Sequence, residues 1–262
     1  MSQQQNRLIL VVDVGNTNSV FGIYQGDQLV RDIRISSRGD RTADEYAALL
    51  LPLFLQQGLM PTQVSAVMIS SVVPPVTRHL ERLASETFGT EALFVDPELD
   101  TGIEIRYAQP QEIGADRIVN AVAARAQWGA PVVAVDFGTA TTFDVVDGDG
   151  AWIGGVIAPG IGISAEALFA RASRLYKVDV TKPDGVLGSS TAEAMQAGLY
   201  YGYIGLVDGI LERLLNELPE PCAVAATGGL AELIAEGSRF IQHVDPNLTL
   251  TGLRMICERN VR

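Results

Sequence analysis

The sequence predicts an α/β protein built as a duplication, two related halves that are each a mixed sheet with flanking helices. Three observations carry this. An apolar, β-branched run that ends on Asp and then Gly occurs once per half, as Leu8-Ile9-Leu10-Val11-Val12-Asp13-Val14-Gly15 and as Val132-Val133-Ala134-Val135-Asp136-Phe137-Gly138. Each is followed by two further strand-like segments joined by a Gly/Asp turn, Gln25-Gly26-Asp27 in the first half and Gly148-Asp149-Gly150 in the second. Behind each meander, helical periodicity alternates with short apolar runs.

In the first half, strands over 8–13, 19–24 and 28–35 lead to a helix over 40–57, where Ala47, Leu50, Leu51 and Phe54 recur at three- and four-residue steps. A strand over 64–70 stops at Val72-Val73-Pro74-Pro75, and a helix over 76–88 and a short strand near 92–95 follow. A helix over 114–128 joins the halves. The second half repeats the order, with strands over 131–136, 141–147 and 151–157 and helices over 163–175 and 191–218. Ala223 to Ala226 is a strand running into Thr227-Gly228-Gly229, with a helix behind it and a last helix over 248–258. No Gly/Ser-rich linker separates the halves, so the boundary is set at the joining helix, giving domains 1–115 and 116–262 packed closely together.

Composition narrows the function. The 262 residues carry a net charge of −12 and no Lys/Arg cluster, which argues against nucleic acid as a partner. Cys222 and Cys257 have no metal-type or C-x-x-C spacing and are expected as buried free thiols in a reducing compartment. No apolar run approaches the ~20 residues of a membrane helix. Residues 1–6 are polar and lack a signal-peptide core, so the expected location is cytoplasmic, with no membrane partner. His79 and His243 are isolated and read as structural.

The paired loops carry the chemistry. A tight turn after a buried strand exposes backbone N–H groups that attract phosphate, and Gly keeps side chains out of the way. Asp13 closes its strand, so its carboxylate should face the ligand region at the strand's C-terminal end, where it suits Mg²⁺ directly or through water. Gly15, Asn16 and Thr17 would offer N–H groups to the phosphates. A capped hairpin turn explains one such loop equally well. Two matched copies favour a nucleotide held between two related domains. In the second copy, Thr139, Thr141 and Thr142 offer hydroxyls to a γ-phosphate. For Thr141 and Thr142 a plain β-rich strand start is an equal reading. Asp136 would hold a metal or order the loop.

Two further segments stand out. Gly114-Ala115-Asp116-Arg117 opens the joining helix. An adjacent acid and base is usually a surface ion pair, but here Asp116 could take the proton of an attacking hydroxyl and Arg117 could steady phosphoryl charge. A helix N-terminus lowers a carboxylate's pKa, which makes Asp116 a weak base, and a loose phosphoryl-transfer transition state tolerates that. Gly228 and Gly229 leave room for an adenine or ribose, although a tight strand–helix turn accounts for them as well.

With these residues in place, the chain resembles the type III pantothenate kinases of the actin-like, sugar-kinase and heat-shock ATPase superfamily. The resemblance rests on Asp13 to Asn18, Tyr107, Gly114 to Arg117, Val135 to Thr142, Gly154 to Gly160 and Gly188 to Gln196, in that order along nearly the whole chain. It implies two ribonuclease H-like (actin-like ATPase) domains with an active-site cleft between them. The implied reaction is ATP-dependent phosphorylation of pantothenate to 4'-phosphopantothenate, the first step of coenzyme A biosynthesis. Asp13, Val14, Gly15, Asn16, Thr17, Asn18, Ser19 and Val20 would bind ATP phosphates, and Thr139 would contact ATP. Tyr107, Gly114, Ala115, Asp116, Arg117 and Thr191 would contact pantothenate, with Asp116 the general base and Asp13 and Arg117 assisting. Asp136 would hold a monovalent cation, potassium or ammonium, beside the Mg²⁺ near Asp13. The resemblance also implies a homodimer, for which the apolar Leu199 to Leu218 is the candidate interface helix, ordinary core being the alternative.

Two other readings keep the fold. A sugar or acetate kinase, or a polyphosphate hydrolase, would use the same loops but usually needs a longer chain with inserted subdomains. A nucleotide-sensing regulator without turnover would have no need of Asp116 and Asp13.

Overall fold

The computed structural model describes residues 7–96, 98–171, 175–218 and 221–261, grouped in two compact units. Unit 1 comprises residues 1–102, 109–122 and 249–262, and unit 2 residues 103–108 and 123–248.

Unit 1 is built on a five-stranded sheet. Its strands are β1 (Leu8–Val14), β2 (Asn18–Gln25), β3 (Gln28–Ser36), β4 (Val64–Ser71) and β5 (Ala92–Phe94), in the spatial order β3-β2-β1-β4-β5. The meander β1-β2-β3 is antiparallel, while β4 and β5 add parallel strands. β1 is apolar almost throughout because it is central and covered on both faces. The edge strand β3 carries Arg31, Asp32 and Arg34 and buries only Ile33. The β2–β3 hairpin turns at Gly26, whose φ of 57° suits glycine.

The helix expected from 40 starts later, as α1 (Ala43–Gln56), because Thr42 caps it. The Thr42 side chain accepts from Glu45 N, and the Glu45 carboxylate accepts from Thr42 N at 2.8 Å, a reciprocal capping box. The residues that α1 buries are Ala43, Tyr46, Leu50 and Phe54, so Ala47 and Leu51 flank the apolar stripe. The expected 76–88 helix is α2 (Pro74–Leu83), prolonged by a π turn over Ala84–Phe88 and stopped at Gly89, φ 69°. Phe54 and Phe88 meet with ring centroids 5.5 Å apart. Burying such a ring contributes about 1.5–3 kcal/mol.

Unit 2 repeats the plan. Its strands are β6 (Val132–Phe137), β7 (Ala140–Val146), β8 (Trp152–Pro159), β9 (Ala223–Gly228) and β10 (His243–Val244), in the order β10-β9-β6-β7-β8. Read from the other edge, this is the order of unit 1, with the same antiparallel meander and the same two parallel strands. The expected α/β duplication of two mixed sheets with flanking helices is therefore the architecture found. β10, two residues long, gives no sequence signal.

The helices of the second half are α4 (Ile161–Arg171), α5 (Thr191–Glu217) and α6 (Ala231–Ala235). The helix expected over 163–175 starts earlier, at Ile161; residues 172–174 lie outside the described residues, and residue 175 is not helical. α5 buries Tyr200, Tyr203, Val207 and Leu211 in the core of unit 2 with Val133, Val135, Phe143 and Val224. Much of the apolar surface expected at a dimer interface is thus used as core.

α3 (Ala115–Trp128) divides between the units. The last helix, α7 (Leu248–Asn260), falls almost entirely in unit 1 although the sequence assigns it to the second domain. Its contacts explain this. A Cβ on Gly252 would lie 2.8 Å from Val119 Cγ1, Thr249 Oγ1 donates to Asn120 Oδ1 at 2.7 Å, and Arg259 bonds Asp100 at 3.0 Å. The boundary expected between 115 and 116 therefore misses the return of the chain into unit 1. Cys257 is a buried free thiol whose pKa burial pushes up to about 12, and Cys222 is free and half-buried. Among the described residues no helix is long and apolar enough to cross a membrane.

Candidate active site

The first loop follows from the position of β1. The ladders set Asp13 opposite Val20 of β2 and Ser70 of β4, at the C-terminal end of a central strand. Asp13 is half-buried between the buried Val12 and Val14. Gly15 N then donates to Asn18 O at 3.0 Å, closing a turn whose apex, Asn16-Thr17, is exposed. A Cβ on Gly15 would sit 3.2 Å from Asn18 O, so the turn is as tight as a side chain would permit.

Ser37, one residue beyond β3, ties this loop down. Its N–H donates to Thr17 O at 2.9 Å and its hydroxyl to Gly15 O at 2.6 Å. Because that proton is committed to Gly15, the 2.9 Å contact between Ser19 Oγ and Ser37 Oγ is donated by Ser19, which is fully buried. Ser37 belongs to no motif. A Ser just past the third strand of a meander is its only sequence trace.

The other candidate acid of unit 1, Asp116, stands in the first turn of α3. A Cβ on Gly114 would sit 2.5 Å from Asp116 Oδ1, so only glycine lets the carboxylate fold back over the helix start. Asp116 Oδ1 accepts from Arg117 N at 3.0 Å. Burial raises the pKa of Asp116 above the ordinary carboxylate value, outweighing that N–H bond and the Arg117 charge. The expectation of a depressed, weakly basic carboxylate is corrected: desolvation exceeds the helix-terminus effect. Arg117 is only 8% exposed, which sets it apart from a surface ion pair.

Unit 2 holds the matching loop. Asp136 lies opposite Thr142 of β7 and Thr227 of β9, the place Asp13 takes in unit 1. Thr227 and Ser70 are equivalent buried hydroxyls beside the two aspartates. Gly138 N donates to Ala140 O at 3.1 Å and Gly160 N to Thr139 O at 3.1 Å, leaving Thr139 exposed at the apex. Gly228 has φ 95°, and a Cβ there would lie 2.7 Å from Asp136 Oδ1, so this backbone is pressed against the aspartate. Gly229 is exposed with open space around it.

Thr141 and Thr142 are engaged locally. Tyr203 donates its hydroxyl to Pro159 O at 2.8 Å, so Thr141 donates to Tyr203 at 2.5 Å. Thr142 donates to Asp144, which also accepts from Trp152 Nε1 at 3.3 Å. These two threonines hold the strands together, and Thr139 stands exposed at the loop apex.

Tyr107 is placed by a short segment the sequence did not reveal. Arg106 N donates to Trp152 O and Trp152 N to Glu104 O, so residues 104–106 run alongside β8. Tyr107 then packs edge-on against Trp152, centroids 5.2 Å apart, and over Gly154, while 43% exposed. Thr191 is the exposed first residue of α5, behind the Ser190 cap. The approach to it is locked by Gly188, where a Cβ would lie 2.6 Å from Glu193 C. The structure thus groups Asp13 to Val20 with Gly114 to Arg117 in unit 1, and Tyr107, Asp136, Thr139, Thr191, Gly228 and Gly229 in unit 2.

Comparison with known proteins gives the family. A family model described as type III pantothenate kinase matches residues 9–213. The type III pantothenate kinase of Geobacter sulfurreducens is 53% identical over 97% of this chain and 99% of its own length. That of Brevibacillus brevis is 50% identical over 97% and 99%. Among solved structures, a putative 2-dehydro-3-deoxygalactonokinase from Sinorhizobium meliloti superposes with a TM-score of 0.58 at 14% identity, covering 96% of each chain. A conserved putative Baf family transcriptional activator from Campylobacter jejuni gives 0.56 at 19% identity, covering 96% of this chain and 98% of its own. At such identities these two speak for the fold alone. The loops, the Gly-Ala-Asp-Arg helix start and the sequence likeness along the chain lead to one assignment: the chain belongs to the type III pantothenate kinases.

Proposed function

We propose that this protein is an enzyme that transfers the γ-phosphoryl group of ATP to the primary hydroxyl of pantothenate, giving 4'-phosphopantothenate for coenzyme A biosynthesis. The observation that carries this is identity of about one half, along 97% of the chain, to proteins named type III pantothenate kinase.

The residue roles are those that the resemblance to the family implies. Asp116, whose pKa is raised by burial, is the general base that takes the hydroxyl proton of pantothenate. A raised pKa makes it a stronger base once deprotonated. Arg117, Gly114, Ala115, Tyr107 and Thr191 bind pantothenate. Asp13 to Val20 bind the ATP phosphates, Thr139 donates to the nucleotide, and Gly228 and Gly229 accept its flat ring.

Mg²⁺ fits the donor set near Asp13. No group of three or more His, Cys, Asp or Glu that could hold a metal exists among the described residues. Mg²⁺ needs none, since it binds through one or two carboxylates plus phosphate oxygens and water. The Asp136 carboxylate, between Thr142 and Thr227 in the ladders, would be the oxygen donor for a potassium or ammonium ion. When bound, these cations would neutralise phosphate charge, and the protein's own residues align the reactants. A cytoplasmic homodimer is the expected working form.

The test is to incubate the purified protein with ATP, Mg²⁺ and pantothenate in potassium or sodium salts and to follow ADP and phosphopantothenate. Pantothenate-dependent ADP release that rises in potassium is expected. Folded, ATP-binding protein with no turnover in either salt would overturn the kinase reading.

A further inference from the structure

The two loops are clasped by equivalent residues, and the difference between the clasps assigns a role to Ser37. In unit 1, β2 begins at Asn18, which pairs with Ser36, so Ser37 is the first residue beyond the ladder. In unit 2, β7 begins at Ala140, which pairs with Pro159, so Gly160 is the first residue beyond. Each donates its N–H to the loop carbonyl one residue before the second strand, Ser37 to Thr17 O at 2.9 Å and Gly160 to Thr139 O at 3.1 Å.

The loops themselves differ by one residue. Gly15 N reaches Asn18 O, three positions on, whereas Gly138 N reaches Ala140 O, two positions on. The shorter loop lies so close to its clasp that a Cβ on Gly160 would be 2.6 Å from Gly138 O and closer still to Thr139 O. The longer loop leaves room at the same place, and a side chain occupies it. The Ser37 hydroxyl donates to Gly15 O at 2.6 Å, the carbonyl equivalent to the one that crowds Gly160. Ser19, buried and aimed at Ser37 Oγ at 2.9 Å, fixes that hydroxyl's rotor.

We infer that Ser37 is a positioning residue for the ATP phosphates. It draws the carbonyl oxygens of Gly15 and Thr17 to its own N–H and O–H. A peptide whose carbonyl is held on one side presents its N–H on the other, and an anion-binding turn requires that polarity. Left unheld, the longer loop would be free to turn a carbonyl oxygen toward the phosphates, which repels them. The inference rests on the reading of Asp13 to Val20 as the phosphate loop.

The experiment compares Ser37→Ala, Ser37→Thr and Asp13→Ala with the parent protein. It reads KM for ATP, KM for pantothenate, kcat, and direct binding of ATP by calorimetry. Ser37→Ala keeps the N–H bond to Thr17 and loses the hydroxyl bond. One net hydrogen bond corresponds to about a fivefold change in affinity. The expected result is a rise of about fivefold in KM and Kd for ATP, an unchanged KM for pantothenate, and recovery in Ser37→Thr, which restores the hydroxyl. Equal changes in both KM values, no change in either, or a Ser37→Thr protein as weak as Ser37→Ala would overturn the inference. Asp13→Ala separates the layers. If it binds ATP as the parent does, the phosphate-loop reading fails and takes the inference with it. If it weakens ATP while Ser37→Ala does not, the inference alone fails.

Discussion

Replacing Gly160 by Ala tests the tighter clasp. The new Cβ would lie 2.6 Å from Gly138 O, closer to Thr139 O and 2.8 Å from Thr139 C, all backbone atoms of the loop. None of these is the yielding end of a flexible side chain, so the loop or the start of α4 must move. Overpacking of this kind costs about 1–3 kcal/mol. Loss of the Gly160 N–H bond to Thr139 O adds roughly 1 kcal/mol. The sum, about 2–4 kcal/mol, lowers the melting temperature by about 5–15 °C and leaves a protein that is still folded at 25 °C. If Thr139 contacts the ATP phosphates as proposed, its displacement should raise KM for ATP about 10- to 100-fold. Differential scanning fluorimetry and steady-state kinetics read both effects. Gly162→Ala is the control, since a Cβ there meets nothing within 4 Å and Ala suits a helix better than Gly. A Gly160→Ala protein that melts with the parent and keeps its KM for ATP would refute the clasp.

Asp116→Asn should lower kcat by about 10²- to 10⁴-fold, as loss of a general base does. Its stability should move the other way. The folded pKa of Asp116 is raised, so the group's contribution to stability is full below the unfolded carboxylate pKa and is lost as pH rises through the folded value. Melting curves should therefore show Asp116→Asn above the parent at neutral pH, the gap closing on acidification. An Asn variant that melts below the parent at pH 7 would contradict the desolvation argument. Asp208, 5% exposed, accepts from Ser238 Oγ at 2.7 Å and from Arg239 N and Nε. Asp208→Ala strands these donors and should cost about 1–3 kcal/mol, read as a lower urea midpoint at unchanged slope. An unchanged midpoint would show that water replaces the carboxylate there.

How much of this was legible in the sequence depended on whether the signal was local. β1 and β6 announced themselves because central strands must be apolar on both faces. The two Asp-Gly loops were visible because a strand end, an acid and a glycine stand in a row. Ser37 and Gly160 were not legible as a pair. Each acts on a loop roughly twenty residues earlier, and their equivalence appears only when strand register is known. Residues 104–106 escaped notice because so short a segment beside β8 has no periodicity. The basicity of Asp116 also depended on burial, which a helix-start motif cannot report. Thr141 and Thr142 read as ligand hydroxyls or as a plain strand start, and the choice needed Tyr203, distant in the sequence, and Asp144, which bond them.

The return of α7 to unit 1 has a consequence for how the molecule is made. A ribosome emits the five strands of unit 1 first, yet the helix carrying Thr249, Gly252 and Arg259 emerges only after all of unit 2. Asn120, Val119 and Asp100 must wait for their partners while more than a hundred residues are synthesised. The leading domain cannot gain the contacts of α7 until the trailing one has been made. Unit 2 has every piece it needs in the nascent chain before unit 1 does. The second half of the protein is therefore the part that can act as a scaffold during synthesis, and α7 is the latch that completes the first.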